Sequence, residues 1–374
     1  MADMVRLGDV ATYINGYAFK PEDRGETGLP IIRIQDLTGN SYDLGFYDGK
    51  YPEKIEINNG DVLISWSASL GVYVWDRGKA LLNQHIFKVE FDKKQIDKNF
   101  FVYAVRRKLD EMVSKTHGAT MKHIIKKDFD ATLIPCPSLT EQSSIASNLD
   151  RVSRIIAARK RELQMLDELI KARFVELFGD PITNPMKWKK EETNKHIDLL
   201  SGYPFKSEQY VEEGINICGG LIIMPQRIEW ESCVHWPTVQ GYEDYLLEDG
   251  DIVMALDRPW ITEGFKVARV DGNHLPALLI QRTARIRALD INQDYLYYCF
   301  INGGFDKHSN VTGSLVPHIS AKDIRSFEIM VPPIDLQEEF SKFMKQVDKS
   351  KVAVQKALDE TQTLFDSLMQ EYFG

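Results

Sequence analysis

The sequence predicts an α/β chain of α+β modules in which one module is duplicated. Each copy is followed by a long helix, and the two helices pair as an antiparallel coiled coil, giving the chain an approximate two-fold symmetry. Three observations carry this expectation. The pentapeptide Gly-Tyr-Ala-Phe-Lys at Gly16 to Lys20 returns as Gly-Tyr-Pro-Phe-Lys at Gly202 to Lys206. Further blocks repeat behind it in the same order. Each half closes on a heptad-patterned stretch ending in Phe-Gly, at Glu176 to Gly179 and again at Glu371 to Gly374.

The repeated blocks define the modules. Asn58 to Ser65, NNGDVLIS, matches Glu248 to Ala255, EDGDIVMA. His117 to Phe129 matches Thr312 to Ile324, sharing Gly118 with Gly313, His123 with His318 and Asp128 with Asp323. Ile134 to Gln142 is set against Val331 to Glu339. Between these blocks lie short β-branched, alternating runs such as GVYVW, HIFKVEF, FKVARV and TARIRA, which read as strands. A helix is expected over residues 99–113 in the first module and 293–303 in the second. The modules are placed at residues 1–140 and 180–334, with the long helices at 141–179 and 335–374.

The long helices carry apolar residues in alternating steps of four and three, as in Ile145, Leu149, Val152 and Ile156, and in Phe340, Met344 and Val347. That spacing is the seam of a two-helix coiled coil. Residues 151–161 hold Arg151, Arg154, Arg159, Lys160 and Arg161 without an acid, and 359–371 hold Asp359, Glu360, Asp366 and Glu371 without a base. An antiparallel pairing brings these blocks together.

Composition narrows the function. With 374 residues, 43% of them hydrophobic and 27% charged, the chain can build two cores. A net charge of −9 argues against affinity for nucleic acid over the whole surface and leaves room for a local basic face. No apolar run spans a membrane, the opening MADMVRLGDV has no export pattern, and the four cysteines form no C-x-x-C pair, so a cytoplasmic chain with reduced thiols is expected. No phosphate loop, zinc-protease or serine-hydrolase motif occurs, and no catalytic, cofactor or metal site is expected. Asp257 to Trp260, DRPW, comes near the D-P-P-W motif of amino-methyltransferases but lacks a proline, and the first module reads Leu-Ile-Ser-Trp-Ser there. A stand-alone DNA methyltransferase or nuclease, and a scaffold that never meets DNA, are the alternatives.

Two similar modules held apart by paired helices suit a linear ligand with two recognition sites, and duplex DNA is such a ligand. On the two pentapeptides, the paired Gly-Asp strands, the G-x-x-x-x-H-I blocks and the helix-ending Glu-Leu-Phe-Gly-Asp-Pro, the chain resembles the specificity subunits of type I restriction–modification systems. The resemblance implies that each module is a target recognition domain for one half of a split double-stranded DNA sequence. It also implies that the helices dock two methyltransferase subunits, which a restriction and translocase subunit can join.

The residue types suggest where DNA is touched. Lys115, Thr116, Gly118, Thr120, Lys122, Lys126 and Lys127 combine cations and hydroxyls around a glycine, as a phosphate-contacting loop requires. Asn310, Thr312, Gly313, Ser314, His318 and Lys322 form its counterpart. Candidate base readers are Arg33, Gln35, Trp66, Gln84 and His85 in the first module and Arg227, Arg258, Trp260, Gln281 and Arg282 in the second. Tyr17, Phe19, Tyr203 and Phe205 are expected to anchor the pentapeptides in their cores, leaving Lys20 and Lys206 at the surface as further DNA contacts.

Overall fold

The structure, a computed structural model, describes residues 3–40, 43–115, 124–309 and 318–374. It divides into two compact units: residues 1–160 with 356–374, and residues 161–355.

Unit 1 is organised around a four-stranded antiparallel sheet in the order Thr12–Asn15, Ile86–Glu90, Val62–Ser65, Gly71–Val74. Val62–Ser65 is buried throughout because it is an inner strand covered on both faces, which is why it reads as a continuous apolar run. A second sheet pairs Leu29–Ile32 in parallel with Ala80–Leu82, flanked by Phe46–Tyr47 and Glu56–Ile57. A helix at Lys98–Lys115 lays Phe100 and Phe101 into the core beside Leu149, Met369 and Phe373 of the long helices.

Unit 2 repeats the plan. Its four-stranded sheet runs Ile197–Ser201, Thr283–Ala288, Ile252–Ala255, Val267–Arg269. Its second sheet again holds a parallel pair, Ile215–Cys218 with Ala277–Leu279, bordered by Val234–Trp236. The short helix is Gln293–Asn302. Two small hairpins, Ile223–Met224 with Arg227–Ile228 and Trp260–Ile261 with Gly264–Phe265, have no counterpart among the described residues of unit 1.

The glycine of each pentapeptide explains the repetition. A Cβ at Gly16 would stand 2.0 Å from the carbonyl oxygen of Asn83, and one at Gly202 would stand 2.0 Å from that of Ile280. Both glycines allow the chain to cross closely over the neighbouring segment, where Tyr17 bridges Asn83 and Tyr203 bridges Ile280 in parallel. Phe205 is buried and Phe19 packs on the core, as expected. Tyr17 differs: it is 43% exposed and meets Phe19 edge-on at 5.0 Å, because its neighbour in the fold is solvent rather than the tyrosines 242 and 245 that surround Tyr203.

Each long helix has 40 residues, Leu139–Phe178 and Ile334–Phe373, about 60 Å at 1.5 Å per residue. Within unit 2 they run antiparallel, since Arg173 pairs with Glu339 while Asp167, earlier in the first helix, pairs at 2.6 Å with Lys351, later in the second. Phe174, Phe340, Met344 and Val347 fill the seam there. A buried glutamine opens each helix. Gln142 donates to the Pro137 carbonyl and accepts from the Asp97 N–H, both at 2.8 Å; Gln337 does the same with Pro332 and Asn292, also at 2.8 Å. The repeat therefore aligns Gln142 with Gln337, whereas the sequence blocks set it against Glu339; the buried hydrogen bonds, invisible in composition, fix the register.

Of the cysteines, Cys218 and Cys299 are buried and Cys136 and Cys233 half-buried, all as free thiols; burial pushes the Cys299 thiol up to about 12. Among the described residues no helix is long and apolar enough to cross a membrane, and no group of three or more His, Cys, Asp or Glu is placed to hold a metal ion.

Candidate nucleic-acid interface

Each unit brings four distant segments together beyond the end of its inner strand. In unit 1 the Trp66 N–H donates to the His85 carbonyl at 3.2 Å, the Ile124 N–H to the Trp66 carbonyl at 3.0 Å, and the Gln84 N–H to the Tyr17 carbonyl at 2.9 Å. In unit 2 the same three bonds join Leu256 to Arg282 at 2.9 Å, Ile319 to Leu256 at 2.8 Å and Gln281 to Tyr203 at 2.8 Å. The backbone conformations match as well. His85 and Arg282 have φ of 71° and 63°, and Ala68 and Arg258 have 56° and 46°. Left-handed backbone at non-glycine residues costs of order 1 kcal/mol and persists where the surroundings over-determine it.

On this shared frame the side chains differ. In unit 1 the half-buried Trp66 stacks on Phe87 at 5.5 Å, meets the His85 ring at 4.9 Å and donates through Nε1 to Asn15 at 3.2 Å; Gln84 beside it is exposed. In unit 2 Asp257 follows Leu256, and one oxygen of its carboxylate lies 3.2 Å from Nη1 of Arg282 as an ion pair while the other faces Nδ1 of His318 at 2.7 Å. Gln281 and Arg258 are exposed nearby. Lys266 is buried and donates to the Gly220 carbonyl; burial first, and then Arg258, pull its ammonium below the ordinary range.

The other sequence-derived candidates are distributed as follows. Arg33 belongs to an ion-pair network, with Nε 3.1 Å from the buried Asp36 and Nη2 at 3.5 Å from Asp43, and Gln35 is half-buried beside it. Arg227, on a hairpin of unit 2, pairs with Glu229 at 3.0 Å and Glu263 at 3.1 Å. Trp260, on the other hairpin, stacks on Phe265 at 5.0 Å. Lys126 opens the short helix Lys126–Ala131, pairs with Asp130 at 2.7 Å and lies 5.8 Å over the Tyr13 ring, while Lys127 is exposed. Lys322 is exposed on the corresponding helix Ala321–Arg325, which Ser320 and Asp323 cap reciprocally. Lys20 and Lys206 are exposed, Lys20 lying 3.9 Å from Glu22. Lys115 is the last residue of its helix. Thr116, Gly118, Thr120 and Lys122, and Asn310, Thr312, Gly313 and Ser314, lie outside the described residues.

The frame thus gathers Gln84, His85 and Trp66 in one unit and Arg258, Gln281, Arg282 and His318 in the other, from segments far apart in sequence. Arg33, Gln35 and Arg227 sit in separate networks. Asp257 is the site residue that the sequence reading misses, since it figures there only as the head of DRPW. The available signal is the change from Ser67 to Asp257 at matched places in the repeat.

Residues 2–168 and 235–361 match the model of the family described as the type I restriction modification DNA specificity domain. The chain belongs to that family. The MjaVIII specificity subunit of Methanocaldococcus jannaschii is 25% identical over 367 residues, covering 92% of this chain and 86% of that protein. The Escherichia coli EcoBI specificity subunit is 29% identical over 199 residues, 52% of this chain and 42% of that one. The crystal structure of the type I S subunit from M. genitalium superposes with a TM-score of 0.59 at 15% identity, over 100% of this chain and 96% of that one. A chain solved in work on complex assembly of the type I R-M system gives 0.55 at 17% identity, over 99% and 97%. At these identities the structural likeness is one of fold. In the specificity family's terms, the second match, 235–361, takes in Asp257, Arg282 and His318.

Proposed function

We propose that this chain is the DNA-reading subunit of a type I restriction–modification complex and performs no chemistry of its own. Residues 1–140 and 180–334 act as two target recognition domains, each reading one half of a bipartite, asymmetric sequence in duplex DNA. The helices at 141–179 and 335–374 act as spacer and as docking surface for two methyltransferase subunits, to which restriction and translocase subunits can add. It works in the cytoplasm, without a cofactor.

One observation supports this reading above the rest: the same backbone frame recurs in both units and carries different polar side chains, the half-buried His85 and exposed Gln84 in one, the exposed Arg282 and Gln281 in the other. A duplicated enzyme would retain its reacting groups at matched places. A reader of two different half-sites keeps the scaffold and varies what it presents. The cations at the flanks, Lys126 and Lys127 in unit 1 and Lys322 in unit 2, are of the type that holds phosphates and sets register without carrying sequence information. The deciding experiment is methylation mapping of the host genome with and without this chain. A gapped motif that disappears on deletion supports the proposal, and an unchanged methylation pattern refutes it.

A further inference from the structure

We propose that Asp257 is a positioning residue that aims Arg282 at a guanine in the half-site read by unit 2. The inference rests on the DNA-reading function proposed above and names the base class and the pair of side chains that would select it.

Arg282 is 74% exposed in its side chain, yet it is not free to wander. Its backbone is held at φ 63° by the bond from the Leu256 N–H to its own carbonyl at 2.9 Å. Its Nη1 lies 3.2 Å from Asp257 Oδ2, and the other carboxylate oxygen is taken by His318 Nδ1 at 2.7 Å. Asp257 is itself fixed, since Asp257 and His318 form an antiparallel bridge and the Ile319 N–H donates to Leu256 at 2.8 Å. A guanidinium paired through one nitrogen with a rigid carboxylate samples fewer rotamers, so less of its entropy remains to be lost when a ligand arrives. Its remaining donors keep their planar fork, which matches the paired acceptors O6 and N7 of guanine in the major groove.

A phosphate also accepts such a fork, but the local charge disfavours it. Asp257 places a negative charge against the same guanidinium, cancelling the attraction a phosphate would feel and adding repulsion to it. A base edge is neutral and loses nothing by the presence of the acid. The unit 1 frame is consistent with this division: Ser67 stands where Asp257 does and His85 where Arg282 does, so that unit offers neither acid nor fork at the matched place.

The test maps methylation in host cells carrying the complete modification complex with wild-type chain, Arg282→Gln or Asp257→Asn. Arg282→Gln is expected to relax one guanine of one half-site, or to replace it with adenine, changing the preference at that position about tenfold or more. Asp257→Asn is expected to relax the same position to a smaller degree. The other half-site stays as it was, which shows that the variant complex assembles. An unchanged motif in both variants overturns the inference. So does a partial loss of methylation spread evenly over the sites with no altered base preference, which would make Arg282 a phosphate contact. If Arg282→Gln abolishes methylation altogether, Asp257→Asn, which alters almost no volume, decides on the same two criteria. A chain deletion that leaves every gapped motif in place refutes the DNA-reading function itself, an outcome distinct from either.

Discussion

Unit 1 and unit 2 agree where the backbone must close and disagree where side chains meet solvent. Gly16 and Gly202 permit the same close crossing, and Gln142 and Gln337 make the same pair of buried bonds. The attachment of the short helix to the long one differs in kind. In unit 1 Asp150 accepts from the Tyr103 hydroxyl at 2.7 Å and from Asn99 at 3.1 Å, and burial pushes that hydroxyl up to about 12. In unit 2 the guanidinium of Arg269 bridges Asp294 at 2.7 Å and Asp348 at 2.6 Å, while Ser341 donates to Asp294 at 2.6 Å. One duplicated scaffold has been secured by hydrogen bonds from uncharged donors to a carboxylate in one copy and by ion pairs in the other. Identity between the copies survives where only one residue type fits, and drifts where several chemistries do the same job.

This contrast can be broken or sharpened by substitution. Gly202→Ala should cost about 3 kcal/mol and Gly16→Ala a similar amount, because each methyl meets a backbone carbonyl that cannot move aside. Hydrogen exchange read separately in each unit checks this, and a mild effect in either copy would show that the crossing can relax. Gln142→Leu and Gln337→Leu each leave a buried N–H and a carbonyl without partners, an expected loss of about 2 kcal/mol in denaturant unfolding. The two losses should be alike.

The attachment sites should respond unequally. Arg269→Leu leaves two carboxylates facing each other, an expected loss of about 2 kcal/mol, against about 1 kcal/mol for Asp150→Ala. Only the first should shrink as salt is raised, and equal salt dependence would erase the distinction. Lys126→Glu with Lys127→Glu is expected to weaken DNA binding of the assembled complex several-fold without changing the motif. The slope of affinity against salt should fall by about one for each phosphate that is no longer neutralised. An unaltered slope would remove this helix from the interface.

The smallest expected effect is one of pH. Lys189 first, with His196 also bonded to it at 2.9 Å, holds the Glu191 carboxyl down at about 2. A depressed folded value means stability that is present above the unfolded value of about 4.3 and lost as pH falls through the folded one. Glu191→Gln should flatten the acid side of the unfolding profile of unit 2. The matched strand in unit 1 carries Val5, so no such flattening is expected there.

Local pattern made much of the architecture readable. The helices expected over 99–113 and 293–303 appear at Lys98–Lys115 and Gln293–Asn302, and the heptad stretches form the two long helices. Their antiparallel sense follows in unit 2 from Arg173 with Glu339 and Asp167 with Lys351, whereas in the sequence it is the charge blocks at 151–161 and 359–371 that suggest it. The candidate site was readable only as residue types. Nothing in the order of residues says that Arg33 faces Asp36 and Asp43 while Arg282 faces Asp257, or that Tyr17 is exposed where Tyr203 is enclosed by tyrosines.

The sequence alone determined the duplication, the alternation of module and helix, and the apolar seam, because repeats and periodicities are relations between neighbours in the chain. The tertiary structure alone decided the register of Gln142 with Gln337 and the meeting of Asp257, Arg282 and His318. Those depend on which carbonyl or carboxylate lies within about 3 Å of a donor, a distance that is set only when remote segments pack.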